Sequence, residues 1–257
     1  MKAKAVREKF HYFHTSGKKA VALLIDPDAI SNKAHFIGTI EQAVLGPIDF
    51  FFLGGSLATR AQCYSCVEQI KFLNRDIPVV IFPGNAIQVV ENADAILFLS
   101  LISGRNPEFL IGQQVIAAPY LAQSDLEVLP TGYMLIDSGQ LTSVNYMSQT
   151  IPLPSDKPAL AVATALAGTM LGMSHLYLDA GSGAKRPVPK EIIAAVKNHT
   201  HCPLIVGGGI DTVAKAKAAW TAGADVVVLG NGVEKNPSLL TEVLSVAQMY
   251  NLSLNVN

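Results

Sequence analysis

Charged residues are scarce in this chain, and neither sign of charge prevails. Only 15% of the 257 residues are charged, with 19 lysines and arginines against 20 acidic residues. A protein whose main role is to bind nucleic acid needs a basic surface, which this composition does not supply. Half of the residues are hydrophobic, as expected for a sheet that helices cover on both faces.

Long apolar segments are also absent. The apolar run Ala20–Ile25 is too short for the core of a signal peptide and leads into Asp-Pro-Asp. The longest weakly polar segment, residues 159–173, is too short and too rich in small residues to span a bilayer. We therefore expect a soluble, cytoplasmic protein without stable membrane insertion.

Cysteine is nearly absent, which excludes a disulfide framework. The chain has three cysteines, of which Cys63 and Cys66 form a CxxC pair. This pair falls in a segment with a helical pattern, with no second CxxC and no histidine nearby in sequence. The pattern therefore favours a structural role over a redox or zinc site.

Glycine, by contrast, is concentrated after apolar runs, and residues 204–233 show this most clearly. An apolar run ends in Gly207-Gly208-Gly209, a helical segment follows, and a second run ends in Gly230-Asn231-Gly232. Glycine has no Cβ, so an anion can approach the backbone N–H groups of such loops closely. The stretch therefore predicts a phosphate-binding site.

The rest of the chain repeats this alternation of apolar run and helix. The predicted strands are 20–25, 50–53, 78–82, 95–99, 133–136, 175–178, a run starting at residue 204, and 226–229. Eight strands in a chain of this length predict an α/β fold, a TIM (β/α)8 barrel over residues 1–257 without a second domain. The glycine-rich loops would then form a phosphate site after strands 7 and 8.

Two connections depart from the repeat. Only twelve residues, 83–94, separate strands 3 and 4, and a proline and a glycine stand at their start, so we expect a shortened or missing third helix. That would leave a gap in the outer ring. The loop 138–158 is long and polar, and loops of this length in compact domains are often functional.

Polar residues at the ends of the predicted strands are the candidates for chemistry, because barrel active sites lie there. Asp26 and Ser56 end adjacent strands 1 and 2, and a carboxylate with a hydroxyl suits a hard cation such as Mg²⁺. Asp28 suits a helix cap. Asp179 ends strand 6 before another glycine-rich loop, where it can act as a general base toward a hydroxyl.

Other polar residues have weaker signals. Further candidates at strand ends are Asn85, Ser100, Asp137, Tyr177, Ser182 and Asn231. Three basic residues, Arg105, Lys185 and Arg186, either reach an anionic substrate or lie in solvent. Asp225, His199 and His201 fall on the opposite face of the barrel, where residues serve stability.

Six motifs carry a resemblance to a known family. The motifs are LIDPD, FLGGS, FPGN, YLDAGSGA, VGGGI and LGNGV. Together and in this order they resemble the geranylgeranylglyceryl phosphate synthase family. The resemblance implies a prenyltransferase that joins sn-glycerol 1-phosphate to a polyprenyl diphosphate in phospholipid (ether-lipid) biosynthesis. The family's name implies that this donor is geranylgeranyl diphosphate.

The resemblance also assigns roles by position. Asp26 and Ser56 would hold Mg²⁺ against the prenyl diphosphate, and the missing third helix would leave a groove for the prenyl chain. The acceptor would be bound by Tyr177, Leu178, Asp179, Ala180, Gly181, Ser182, Gly183, Gly208, Gly209, Gly230 and Asn231. Two positions depart from relatives: many have Glu at position 179, and shorter bacterial members have Lys at position 24, where this chain has Leu24.

Two other functions fit the same loops. A phosphosugar isomerase or synthase of the histidine and tryptophan pathway type shares the phosphate site, with Asp26 and Asp137 as an acid–base pair. A non-catalytic phosphate- or flavin-binding barrel needs the loops alone. Whichever of these functions is correct, we expect a homo-oligomer, because apolar outer helices favour self-association.

Overall fold

Eight parallel strands close into one barrel in the order β1 to β8, which confirms the predicted TIM barrel. The computed structural model describes residues 5–27 and 33–254, and only the backbone of residues 33–36. The strands are β1 (Ala20–Ile25), β2 (Phe50–Leu53), β3 (Val79–Ile81), β4 (Ala95–Leu101), β5 (Glu127–Leu135), β6 (His175–Asp179), β7 (Leu204–Gly207) and β8 (Val226–Leu229).

Helices surround the barrel and close its lower end. They are α1 (Ala5–Ser16), α2 (Lys33–Leu45), α3 (Arg60–Leu73), α4 (Gln113–Leu121), α5 (Ser143–Ser148), α6 (Pro158–Met170), α7 (Lys190–His199), α8 (Val213–Ala222), α9 (Asn231–Lys235) and α10 (Ser238–Ser253). The described residues contain no helix long and apolar enough to cross a membrane.

Strand residues alternate between two hydrophobic layers. On β1, for example, Ala20 and Ala22 belong to the cluster inside the barrel, whereas Val21 and Leu23 belong to the cluster between sheet and helices. Because successive side chains point to opposite faces of a strand, strands buried on both faces read as continuous apolar runs. This explains why most strands could be predicted from apolar runs alone.

Helix α1 plugs the lower end of the barrel. Phe10 is fully buried and stacks on Phe50 with the ring centroids 4.4 Å apart, and Val6 and Phe13 are buried beside it. The amphipathic pattern of residues 1–16 predicts these three inward side chains together with Tyr12, but Tyr12 is 47% exposed and does not face the barrel. The lower end is therefore packed shut, and ligands can enter only from the other end.

The third crossover lacks its α-helix, as predicted. Between β3 and β4 the chain forms only one 3-10 turn, Ala86–Gln88. The outward face of β4 is therefore covered incompletely, and its Phe98 is only half-buried. The consequence for the site is described below.

Strand β5 and the loop after it differ from their predictions. The strand begins at Glu127 and not at Tyr133, and it pairs with β4 over seven residues, from Ala95–Glu127 to Leu101–Tyr133. Within the loop, which was expected to be irregular, the chain forms the short helix α5. This helix packs over the upper end of the barrel.

The lower-face residues do serve stability. Asp225 is buried, and it accepts hydrogen bonds from Lys197 Nζ at 2.7 Å and from the backbone N–H of Leu204 at 2.9 Å. His14 Nδ1 lies 3.0 Å from the same carboxylate. The group ties α1, α7 and the starts of two strands together, far from the open end.

Candidate active site

A single cavity of about 520 Å³ opens at the carboxyl ends of the strands. Every strand, or the loop directly after it, contributes residues to its wall. Among the sequence-predicted residues, those that line the cavity are Asp26, Ser56, Asn85, Tyr177, Asp179, Gly181, Ser182, Gly183, Gly208, Gly209, Gly230 and Asn231. The strand ends therefore bring nearly the whole predicted set to one place.

Asp26 and Ser56 meet at the end of the cavity formed by β1 and β2. The parallel register pairs Ile25 with Leu53, so Asp26 and the glycine-rich β2 loop leave the barrel at the same height. Gly55 is needed here because a Cβ at that position would overlap the Asp26 carboxylate. The carboxylate therefore lies directly against the loop that carries Ser56.

Gln88 braces this loop and was missed by sequence reasoning. Its fully buried side chain donates from Nε2 to the carbonyl oxygens of Gly55 at 2.6 Å and Ala58 at 3.1 Å, and its Oε1 accepts from Gly84 N at 2.9 Å. The 3-10 turn that replaces the third helix thus holds the β2 loop in place. A buried glutamine in a short polar turn carries no local sequence signal.

The donor set at Asp26 and Ser56 fits a magnesium ion. One carboxylate and one hydroxyl are hard oxygen ligands, and Mg²⁺ takes its other ligands from water and substrate phosphates. The described residues contain no cluster of three or more His, Cys, Asp or Glu side chains that could hold a metal by themselves. A cation at this end would therefore depend on a phosphorylated ligand to complete its coordination.

Strand β6 contributes alternate residues to the cavity. Tyr177 and Asp179 point into the barrel and line the cavity, whereas Leu178 and Ala180 belong to the outer cluster against the helices. Because the strand period is two, all four side chains could not face one ligand. The side chains of Leu178 and Ala180 are therefore removed from the predicted set of substrate contacts.

Asp179 is fixed by two hydrogen bonds. Tyr133 donates its hydroxyl to Oδ2 at 2.5 Å, and the backbone N–H of Gly181 donates to Oδ1 at 2.8 Å. Burial raises the pKa of the Asp179 carboxyl, and these two hydrogen bonds oppose that rise by stabilising the charged form. A carboxyl group whose pKa is raised by burial, and whose charged form accepts two hydrogen bonds, suits a general base.

Three aromatic rings form the floor below this carboxylate. The ring of Tyr177 lies 5.1 Å from that of Phe82 and 5.5 Å from that of Tyr133, measured between centroids. Burial, followed by the negative charge of Asp179, raises the pKa of both tyrosine hydroxyls well above the ordinary value. Both therefore stay protonated at neutral pH and can donate hydrogen bonds.

The loops after β6, β7 and β8 converge on one side of the cavity. Gly208 has φ +79°, and a Cβ there would lie 2.5 Å from Asp179 Oδ1 and 2.7 Å from two backbone nitrogens of the β6 loop. Ser182 Oγ donates to Asn231 Oδ1 at 3.3 Å, which joins the β6 and β8 loops. We call these three glycine-rich loops, 180–184, 207–210 and 230–232, the cradle.

The cavity extends from the barrel mouth into the gap left by the third helix. Leu97 and Leu99 line it from the inner face of β4, and Ile96 and Phe98 line it from the outer face of the same strand. Ala117 of α4 forms part of the far wall. Only the missing helix allows both faces of one strand to border one cavity, which gives it an apolar branch.

Several predicted candidates lie outside the cavity. Asp137 faces Arg186, with Oδ2 3.8 Å from its guanidinium, and Arg105 bonds to the carbonyl oxygen of Gly104. Ser100 donates to the Leu110 carbonyl oxygen at 2.8 Å. Lys185 is not part of the wall either, and Asp28 falls outside the described residues. Since Asp137 does not share the cavity with Asp26, the acid–base pair of a phosphosugar isomerase is absent from the described site.

The CxxC pair has no functional geometry. Cys63 and Cys66 are free thiols buried in the outer core, where α3 packs on the sheet. Burial raises the pKa of the Cys66 thiol, which keeps it protonated and unreactive. These contacts support the structural interpretation of the pair.

Fold and site together define a TIM-barrel enzyme with its active site at the carboxyl ends of the strands. The PcrB family model matches residues 17–247. The chain therefore belongs to the PcrB family.

Relatives from different organisms share one name. The geranylgeranylglyceryl phosphate synthase of Spirosoma linguale is 52% identical over 94% of this chain and 96% of its own length. That of Thermococcus kodakarensis is 38% identical over 92% of this chain and 88% of its own. A crystal structure of the (S)-3-O-geranylgeranylglyceryl phosphate synthase of Thermoplasma acidophilum, in complex with its substrate sn-glycerol-1-phosphate, superposes with a TM-score of 0.86 at 30% identity, covering 95% of this chain and 98% of that one.

Proposed function

We propose that the protein is a prenyltransferase that joins sn-glycerol 1-phosphate to a polyprenyl diphosphate, forming an ether bond and releasing diphosphate. The observation that carries this proposal is the shape of the cavity, which joins a polar mouth to an apolar branch. A substrate with a charged head and a long hydrocarbon chain needs both. The names of the relatives at 52% and 38% identity agree with this reaction.

The acceptor binds on the cradle side of the mouth. Its phosphate group receives hydrogen bonds from the backbone N–H groups around Gly208, Gly209 and Gly230 and from Asn231, because glycine lets an anion approach the backbone. Its hydroxyl end then reaches Asp179, whose Oδ1 lies next to the backbone of Gly208. This orientation directs the reacting hydroxyl away from the cradle and toward the donor.

The diphosphate of the donor binds at the Asp26 and Ser56 end. Bound Mg²⁺ would neutralise the charge that develops on the diphosphate as the C1–O bond breaks. The prenyl chain extends past Phe82 into the apolar branch between β4 and α4, where burial of each methylene favours binding by about 0.8 kcal/mol. We propose geranylgeranyl diphosphate as the donor, following the names of the relatives.

Proton transfer completes the exchange. The 3-hydroxyl oxygen of glycerol 1-phosphate bonds to C1 of the prenyl group, the C1–O bond to diphosphate breaks, and Asp179 accepts the hydroxyl proton. Tyr133 and the Gly181 N–H hold the carboxylate in place before the acceptor arrives, and both hydrogen bonds favour its charged form. The closed lower end excludes water from below, which protects the developing carbocation from hydrolysis.

Product formation tests the proposal directly. The protein is incubated with Mg²⁺, sn-glycerol 1-phosphate and radiolabelled prenyl diphosphates of increasing length, and the organic phase is analysed for prenylglyceryl phosphate. We expect one preferred chain length and strict dependence on the acceptor. If no organic-soluble product forms with any donor, the protein is not this transferase. The two alternatives are then assayed: phosphosugar isomerase activity, and the binding of phosphate or flavin without catalysis.

Filling the apolar branch is expected to change the preferred donor. Ala117 is 5% exposed and lines the branch, so Ala117→Phe should exclude the end of the longest accepted chain and lower its kcat/KM about tenfold relative to a shorter one. Ala118→Phe is the matched control, because Ala118 is exposed and does not line the cavity. Equal chain preference in both variants would show that the chain lies elsewhere.

A further inference from the structure

The cavity wall is poor in positive charge. Its ionisable groups include four acidic residues, Asp26, Asp179, Asp211 and Glu234, but in the described part of the chain its single lysine or arginine is Lys235. The proposed substrates bring a phosphate and a diphosphate to this wall. One magnesium ion serves the diphosphate, so the phosphate needs another source of positive charge.

Lys235 stands one helical turn above the cradle. It ends helix α9, which begins at Asn231 directly after the cradle glycine Gly230. Residues four apart lie on the same helix face, and side chains lean toward the N-terminus of their helix. Lys235 therefore leans back toward Asn231, which itself lines the cavity.

Lys235 has no charged partner among the residues that the structure describes. Two basic groups near the cradle already have acidic partners: Lys215 Nζ lies 2.6 Å from Asp211, and Arg186 lies 3.8 Å from Asp137. Lys235 forms no ion pair or hydrogen bond with any described residue. Its ammonium group is therefore available to a ligand.

Among the described residues that line the cavity beside the cradle on the β1 side, none is an alternative cation. Leu24 lines the cavity there, and its Cβ and Cδ2 lie 3.8 Å from where a Cβ on Gly230 would be. An apolar side chain at this point cannot balance the charge of a bound phosphate. Within the described wall of the cavity, this leaves Lys235, on the α9 side, as the source of positive charge.

We propose that Lys235 binds the phosphate group of the acceptor and is the residue that selects a phosphorylated acceptor. This inference rests on the proposed function, because it assigns the cradle to the acceptor and not to the donor. The lysine adds a point charge with three N–H donors to backbone groups that orient the phosphate but carry no net charge. Its contribution is present in the bound substrate and the transition state alike, so it acts on affinity and not on the chemical step.

Kinetics of Lys235→Met test this role. We expect the KM for sn-glycerol 1-phosphate to rise about tenfold, because the variant loses one charge-assisted hydrogen bond to the phosphate. The kcat and the KM for the prenyl diphosphate should stay unchanged. Lys235→Arg should restore most of the affinity. Lys217→Met is the matched control, because Lys217 is an exposed lysine outside the cavity wall. Its kcat and KM values should equal those of the wild-type protein.

Binding measured without turnover separates this inference from the proposed function. Calorimetric titration of sn-glycerol 1-phosphate and of inorganic phosphate should give weaker, less salt-dependent binding to Lys235→Met than to the Lys217→Met control. Equal dissociation constants in the two variants would overturn the role of Lys235 even if the protein is a transferase. A change confined to the KM for the prenyl diphosphate would also overturn the role of Lys235. Failure of the wild-type protein to form product would instead contradict the proposed function.

Discussion

Asp26→Asn is expected to reduce prenyl transfer about a thousandfold, the order seen when one preorganised electrostatic contact to the transition state is lost. The neutral amide keeps the shape of the side chain but removes the negative ligand at the end of the cavity where the diphosphate is proposed to bind. The Asp26 side chain is only half-buried at the mouth. The melting temperature should therefore stay within about 2 °C of the unchanged protein.

Three measurements decide this prediction. The first is kcat/KM at saturating Mg²⁺, the second is the Mg²⁺ concentration for half-maximal activity, and the third is the thermal midpoint. Asp156→Asn is the control, because the Asp156 side chain is 75% exposed and pairs only with its neighbour Lys157. If Asp26→Asn retains activity with the same Mg²⁺ dependence, then Asp26 is not a ligand of the metal.

The fold could be predicted wherever one physical signal dominated the sequence. Strands Phe50–Leu53 and Val226–Leu229 are runs of four apolar residues buried on both faces, so their limits were predicted correctly. Strand β5 is different, because Glu127, Pro130 and Gly132 interrupt its apolar pattern. Its early half is specified by pairing with β4 and by Glu127, which accepts from the N–H of Val6 at 2.9 Å.

The missing third helix was predicted because chain length limits what can form. Twelve residues leave room for little more than one turn, and the structure has a single 3-10 turn there. The helix in the loop after β5 was not predicted, since it consists of six residues. Helices this short are stable only through tertiary contacts, which a sequence does not display.

The same distinction separates the predicted from the missed site residues. Glycine runs after apolar strands are local signals, and the three cradle loops were recognised from them. The hydrogen bond between Tyr133 and Asp179 joins residues 46 positions apart and depends on the register that pairs Tyr133 with Tyr177. No local pattern encodes that register, so Tyr133 was predicted as a strand residue without a role.

The two proposed substrates bind their charged heads at different parts of the cavity, so their reacting atoms meet between these two sites. The cradle and Lys235 lie on the β6 to β8 side, Asp26 and Ser56 lie on the β1 and β2 side, and the apolar branch leaves past β4. Fixing both charged heads in place supplies the orientation that converts a two-substrate reaction into one between neighbours. In the proposed reaction, Asp179 on β6 is the group that determines which oxygen attacks.

Asp179→Asn is expected to lower kcat by a factor of about a hundred to ten thousand, the contribution of a positioned general base. Asparagine fills the same space but cannot accept the proton of the acceptor hydroxyl. Asp179→Glu is the matched control, because it keeps the carboxylate, and it should retain far more activity than the amide. If asparagine and glutamate variants are equally active, Asp179 is not the proton acceptor.

The pH profile of Tyr133→Phe tests how Asp179 is kept ionised. Burial raises the pKa of Asp179 and the Tyr133 hydroxyl lowers it, so deleting that hydroxyl raises the pKa further. A base works only when ionised, and activity therefore rises with pH through this pKa. We expect the acid limb of the kcat profile to move to higher pH in Tyr133→Phe and to disappear in Asp179→Asn. An acid limb at the same pH in the phenylalanine variant would mean that a different group controls it.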